Sequence, residues 1–307
     1  VFLEEFFEEK GAFGDPKPWM PGDSDLVFTS DRDGNSEIYL LPVGQDEWVN
    51  LTKHPASDNF PVWSPDGSKI AFHSRRNGKL DVYVMDADGG NLVQLTDHPE
   101  HDYLPSWAPD GKQITFASWR TEDDEEPGEN HIYIMNADGS DQRRLIKDSP
   151  GISATVQWSP GGEHMIVTRK TGEDSSDLLL ADAKGNVLKQ LTEDDRIIGA
   201  PSYSPDGMKI AFYSDKQDKS TIEIMNIDGS QRRTVVGYGQ SYYPHWSPDG
   251  CWLVFTAAAK PGEIDDYLIR AVRTDGFSDW KTLVSAGSRE SEASWRPETD
   301  TPPVTCP

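Results

Sequence analysis

Cysteine is scarce in this 307-residue chain: only Cys251 and Cys306 occur. Two cysteines allow one disulfide and no framework of several, which is compatible with an oxidising compartment. Long apolar runs are missing as well. No stretch approaches the roughly 18 apolar residues that a bilayer-crossing helix needs, so no membrane span is expected. Basic charge is short, with 29 Lys and Arg against 53 Asp and Glu, a formal net charge of -24. That balance argues against nucleic acid and anionic membranes as partners and favours cationic partners, divalent metal or plain solubility. Familiar catalytic signatures are absent too. There is no Gly-x-Ser-x-Gly elbow, no His-Glu-x-x-His pair and no phosphate loop. The chain starts at Val1 without a Met or a basic stretch, as expected of a mature product after signal cleavage or of part of a longer chain.

Aromatics and turn formers are plentiful: 10 Trp, 11 Phe, 10 Tyr, 26 Gly and 22 Pro. They recur in register. The clearest unit is Pro61-Val62-Trp63-Ser64-Pro65-Asp66-Gly67, then Ile70-Ala71-Phe72, Val82-Tyr83-Val84-Met85, Asp88-Gly89 and Leu95-Thr96. Marker aromatics stand at Trp19, Trp63, Trp107, Trp158, Tyr203, Trp246 and Trp295, spaced by 44, 44, 51, 45, 43 and 49 residues. Such a period suits one four-stranded propeller blade. The longer intervals hold insertions at Thr121–Asn130 and around Lys260–Asp266. Pro-Asp-Gly and Ala-Asp-Gly supply tight turns, the short apolar runs are buried strands, and the marker Trp is expected to wedge between blades.

Trp-Ser-Pro-Asp-Gly at 63–67 and 246–250, with near copies at 107–111 and 203–207, resembles the TolB-like, WD-like β-propeller repeat. The stretches Ser30–Asn35 and Met135–Ser140 fit it as well. The resemblance covers Trp19 to Pro297. It implies a fold more sharply than a function, because such propellers include interaction proteins, domains fused to peptidases, and oligogalacturonate lyases.

The expectation is an all-β, six-bladed propeller of four-stranded antiparallel blades. Its ring is closed by pairing the strand around Ser294-Trp295 with Leu26-Val27-Phe28, so that no sheet edge is left open. Seven blades are the alternative, but little chain follows Trp295. Residues 1–18 form an N-terminal arm, 19–297 the propeller and 298–307 a tail. In the arm, Phe2, Leu3, Phe6 and Phe7 share one helical face opposite glutamates, a surface suited to assembly that Cys251 and Cys306 could lock.

Five residues before each marker stand Asp58, Asp102, Ser153, Ile198, Ser241 and Glu290. With the ring closed as expected, Glu290, Asp58 and Asp102 occupy adjacent blades at the axial mouth. Clustered carboxylates call for a basic group or a metal, with calcium the candidate cation and no cofactor required. His98, His101 and His245 are the residues to weigh for the metal site that the lyase resemblance implies, and His54 occupies the loop equivalent to His98. Asp31-x-Asp33-Gly34-Asn35-x-Glu37 reads as hairpin chemistry, since it lacks the spacing of a calcium loop. The run Glu122–Glu126 reads as a solvated loop tip. Asn50-Leu51-Thr52 matches a glycosylation sequon, although Leu-Thr is also the blade-ending element. The leading functional expectation is a non-catalytic, extracellular or periplasmic scaffold that binds a protein partner or copies of itself. The alternative is a polysaccharide lyase of the oligogalacturonate type with an axial metal.

Overall fold

The computed structural model describes residues 24–45, 47–121, 130–147, 152–217, 219–237, 239–260, 266–275, 280–285 and 287–298. Every regular element among them is a strand, and the strands form six antiparallel sheets of four. Blade 1 is built from Glu290–Trp295, Leu26–Ser30, Glu37–Leu41 and Val49–Asn50, from the axis outward. Blades 2 to 6 start on the inner strands Asp58–Trp63, Asp102–Trp107, Ile152–Trp158, Ile197–Tyr203 and Ser241–Trp246, and each follows the chain outward. The ring closes as the repeat count predicts. Leu26 pairs with Trp295, Val27 with Ser294, Thr29 with Ser291 and Ser30 with Glu290.

The core is a cycle of six interblade layers, one at each junction. Val27, Ile38 and Trp63 share a cluster between blades 1 and 2. Val254, Ile269 and Trp295 do so between blades 6 and 1. The middle two strands of each blade are apolar on both faces because each face meets a neighbouring blade. Phe28, Phe72, Phe116, Phe212 and Phe255 are all essentially fully buried, and burying each contributes about 1.5–3 kcal/mol. The six marker aromatics among the described residues, Trp63 to Trp295, wedge between blades and are at most 8% exposed. The indole N–H of Trp63 donates to Ser294 O at 3.3 Å, that of Trp158 to Thr115 Oγ1 at 3.3 Å and that of Trp246 to Ser202 O at 3.1 Å, each on the preceding blade.

The other repeated residues have equally local reasons. The Thr of Leu-Thr accepts a backbone N–H from its own blade's third strand, as Thr96 Oγ1 does from Val82 at 2.9 Å and Thr192 Oγ1 from Leu178 at 2.9 Å. Thr52 of the sequon-like triplet accepts from Ile38 N–H in the same way. The Gly of Asp-Gly faces the preceding blade. At Gly89, with φ +85°, a Cβ would sit 2.8 Å from Leu51 O; at Gly139 it would sit 2.8 Å from Leu95 O. Any side chain there would strain the backbone and push neighbouring blades apart.

Candidate functional site on the ring axis

Every inner strand breaks register at the same place: between Asn59 and Val62, Tyr103 and Ser106, Ser153 and Val156, Gly199 and Ser202, and Tyr242 and His245. The closing strand does so between Ser291 and Ser294. Proline explains four of these bulges. Pro61, Pro105, Pro201 and Pro244 have no N–H to give to a ladder. The residue ahead is left-handed in five blades: Phe60 (φ 56°), Leu104 (52°), Ala200 (45°), Tyr243 (53°) and Glu292 (58°). A non-glycine residue pays about 1–2 kcal/mol for that conformation, so its repetition is a built feature.

The bulges turn Phe60, Leu104, Thr155, Ala200, Tyr243 and Glu292 onto a narrow axial pocket of about 120 Å³. Val62, Ser106, Gln157, His245 and Ser294 then line both that pocket and a funnel of about 960 Å³ framed by the Pro-Asp-Gly loops. One continuous axial space results, wide at the loop end and tight at the bulges.

Glu292 is the single ionisable carboxyl among the described residues lining the tight part. Thr29 Oγ1 donates to its Oε2 at 2.8 Å and Phe60 N–H donates at 3.0 Å. Burial nevertheless dominates and pushes its pKa up to about 7, against the opposing pull of these donors, Ser291 and Arg289. The Tyr243 phenol is raised by its own burial and then by Glu292. His73 is lowered to about 3, first by burial and then by Arg75; His245 is lowered to about 4 by burial. Both imidazoles are therefore neutral at pH 7. His73 Nδ1 accepts from Leu104 N–H at 3.2 Å, and His245 Nδ1–H donates to Trp246 O at 3.1 Å.

A chain of ring contacts runs beside the pocket. Trp119 meets Tyr103 (centroids 6.4 Å apart), Tyr103 meets His73 (6.1 Å), and His73 stacks on Phe60 (5.3 Å). Phe60 meets Tyr243 edge-on (5.3 Å), and Tyr243 meets Tyr213 (6.2 Å). Blades 3, 2, 6 and 5 are thereby linked, and Glu292 of blade 1 joins them through the Phe60 N–H.

Asp58, Asp102 and Glu290 stand at the heads of adjacent inner strands, fully buried, and none lines the axial pocket or the funnel. Each has its own arginine: Arg76 to Asp58 at 2.9 Å, Arg120 to Asp102 at 2.5 Å and Arg32 to Glu290 at 3.1 Å. The arginines also lie over aromatic rings, as Arg32 does over Trp48 at 3.5 Å and Arg76 over Tyr83 at 4.8 Å. Burial raises the Glu290 pKa against Ser288 and Arg32. At the same position the remaining blades carry Ser153, Ile198 and Ser241.

Among the described residues no group of three or more His, Cys, Asp or Glu side chains is arranged to hold a metal. His54, His98 and His101 each accept a backbone N–H at Nδ1, from Ala56 (3.1 Å), Glu100 (3.1 Å) and Leu80 (2.9 Å). The Asp31–Glu37 stretch closes as a turn, with Gly34 N–H donating to Asp31 O at 2.9 Å and the Tyr39 hydroxyl donating to Asp33. Cys251 is disulfide-bonded. Cys306, the arm residues Phe2, Leu3, Phe6 and Phe7, the marker Trp19 and the run Glu122–Glu126 lie outside the described residues.

Reading five residues ahead of the marker singles out the three acids but not their arginines, and it passes over the axial ring three residues ahead. The signal for that ring was the repeated X-Pro: Phe60-Pro61, Leu104-Pro105, Ala200-Pro201 and Tyr243-Pro244. The arginines were signalled by Ser30-x-Arg32, Ser74-x-Arg76 and Ser118-x-Arg120.

The family model for the TolB beta propeller domain matches residues 4–125, 61–146 and 85–301. An uncharacterized protein of Agrobacterium fabrum is 31% identical over 143 residues, 46% of this chain and 47% of that protein. A TolB homolog of Chlorobium luteolum is 32% identical over 144 residues, 47% of this chain and 32% of the homolog. The chain thus spans less than half the length of these relatives. The crystal structure of TolB from Acinetobacter baumannii superposes with a TM-score of 0.75 at 22% identity, covering 91% of this chain and 68% of that one. With a model that spans most of its blades and a ring of the same make, this chain belongs to the TolB β-propeller family.

Proposed function

We propose that this chain is a non-catalytic binding propeller that engages a protein partner at the funnel end of its axis, outside the cytoplasm. The observation that carries the reading is the funnel of about 960 Å³, framed by loops of all six blades and narrowing to the strained bulge ring. A sealed ring is a rigid frame, and loops gathered at one end of it form a preorganised surface. The membership of Tol-Pal proteins in the family favours the periplasm among the extracytoplasmic options. The disulfide at Cys251 fits an oxidising compartment. The separate hydrogen bonding of His98, His101 and His245 favours binding over the lyase alternative. Assembly of copies through Phe2, Leu3, Phe6 and Phe7 is a further part of the proposal. Removing residues 1–13 should leave a folded monomer by light scattering; a full-length chain that is already monomeric at high concentration would contradict it.

The axial reading is tested with peptides selected from a random display library on the intact chain. Gln157→Trp, which fills the funnel floor, should weaken their binding at least roughly tenfold, or about 1.4 kcal/mol. Leu188→Asp on the exposed rim should leave it unchanged. Peptides that ignore Gln157→Trp and lose affinity to Leu188→Asp would move the site to the rim.

A further inference from the structure

We infer that the narrow axial pocket is a receptor for one cationic side chain, a lysine or arginine presented by the partner, with Glu292 as its counter-charge. The inference rests on the axial reading above and names the chemistry at its deepest point.

Three features of the pocket converge. Glu292 is the single carboxyl among the described lining residues, and no Lys or Arg is among them. Phe60 N–H donates to its carboxylate at 3.0 Å, and the rings of Phe60 and Tyr243, which line the same pocket, meet edge to face at 5.3 Å. Aromatic rings beside a carboxylate are what an ammonium or guanidinium seeks on leaving water, because ring quadrupole and carboxylate attract it together. The left-handed backbone at Phe60, Tyr243 and Glu292 places these groups. Held there by the bulge, they need little reordering when a ligand arrives.

A volume of about 120 Å³ suits the end of one unbranched side chain better than a folded peptide. The funnel supplies the entry, and the chain's formal net charge of -24 draws cations toward it.

Without a cation, burial leaves Glu292 half-protonated near pH 7. An arriving ammonium holds the carboxylate ionised and the proton leaves to solvent, so binding strengthens as pH rises. The other titratable groups around it do not confuse this dependence. Arg289 opposes the rise at Glu292, the Tyr243 phenol is raised and stays neutral, and His73 and His245, lowered to about 3 and about 4, are neutral above pH 5.5.

The test uses N-acetyl-lysine N-methylamide, its uncharged norleucine analogue and calcium chloride as separate probes, with binding read by NMR titration of the intact chain. The lysine probe should bind at pH 8 and bind roughly tenfold or more weakly at pH 5.5, because only the ionised fraction is competent. The norleucine probe should not bind. Glu292→Gln should abolish both the binding and its pH dependence. Phe60→Leu should weaken binding severalfold with the pH dependence intact, which separates recognition from a fold defect. Equal binding of both amides, lysine binding that survives Glu292→Gln, or calcium binding without lysine binding would each overturn the inference. If the lysine probe fails while selected peptides still respond to Gln157→Trp, this inference falls and the axial reading stands. If the peptides ignore Gln157→Trp, the axial reading itself falls.

Discussion

Blades 1 to 3 and blades 5 and 6 anchor the heads of their inner strands in different ways. In the first group a buried carboxylate meets an arginine of its own blade: Glu290 with Arg32, Asp58 with Arg76 and Asp102 with Arg120. In the second group the tie is neutral and crosses to the preceding blade. Ser176 Oγ accepts from Ile198 N–H at 2.8 Å, and Ser220 Oγ accepts from Ser241 N–H at 2.6 Å. One fold position is thus served by two chemistries. A hydroxyl–backbone bond contributes about 1 kcal/mol. A buried ion pair gives little net stability over an apolar replacement, but breaking it strands a charge. The two parts of the ring should differ less in overall strength than in how badly they fail when one partner is removed.

Removing residues 290–307 should have the largest effect. It deletes the closing strand, opens Leu26–Ser30 as an edge and leaves Arg32 without Glu290. Cooperative thermal unfolding should be lost, and a truncated chain that melts like the parent would reject closure by these strands. Next comes Arg76→Ala, which leaves Asp58 buried and uncompensated; about 3–5 kcal/mol should be lost in denaturant unfolding. The double replacement Asp58→Leu with Arg76→Met should recover most of that loss. Ser220→Ala in the neutral part should cost only about 1–3 kcal/mol, for the orphaned Ser241 N–H. Equal losses for Arg76→Ala and Ser220→Ala would erase the contrast.

The last comparison is a pH profile. The folded pKa of Glu292, about 7, lies above its ordinary value of 4.5, so the folded state binds the proton more tightly than the unfolded chain. Its contribution is therefore most favourable below pH 4.5, declines as pH rises toward 7 and is flat above that. Glu292→Gln removes the decline. The stability difference between variant and parent should move in the variant's favour across that window, and a difference independent of pH would contradict the raised pKa.

The ring was legible in the sequence because each repeated residue answers to a local demand. Trp63 fills an interblade wedge, Gly89 lies against Leu51 O, and Thr96 takes the Val82 N–H. Closure was legible because seven markers bound only six intervals. The axial ring was less so. Phe60, Leu104, Thr155, Ala200, Tyr243 and Glu292 share a backbone position but no chemistry, since what the position fixes is a conformation and not a side chain. The acids were legible as a set, but the arginine of each stands across a turn, 18 residues along the chain in blades 2 and 3. A reading of one strand at a time sees the charge and not its partner.

Site-specific photocrosslinking in the cell that makes this protein tests the central claim most directly. A benzophenone side chain is placed at Gln157 in the funnel or at Leu188 on the rim. The account predicts a covalent adduct with another protein from position 157 and none from position 188. Adducts from 188 alone, or none from 157, would contradict it.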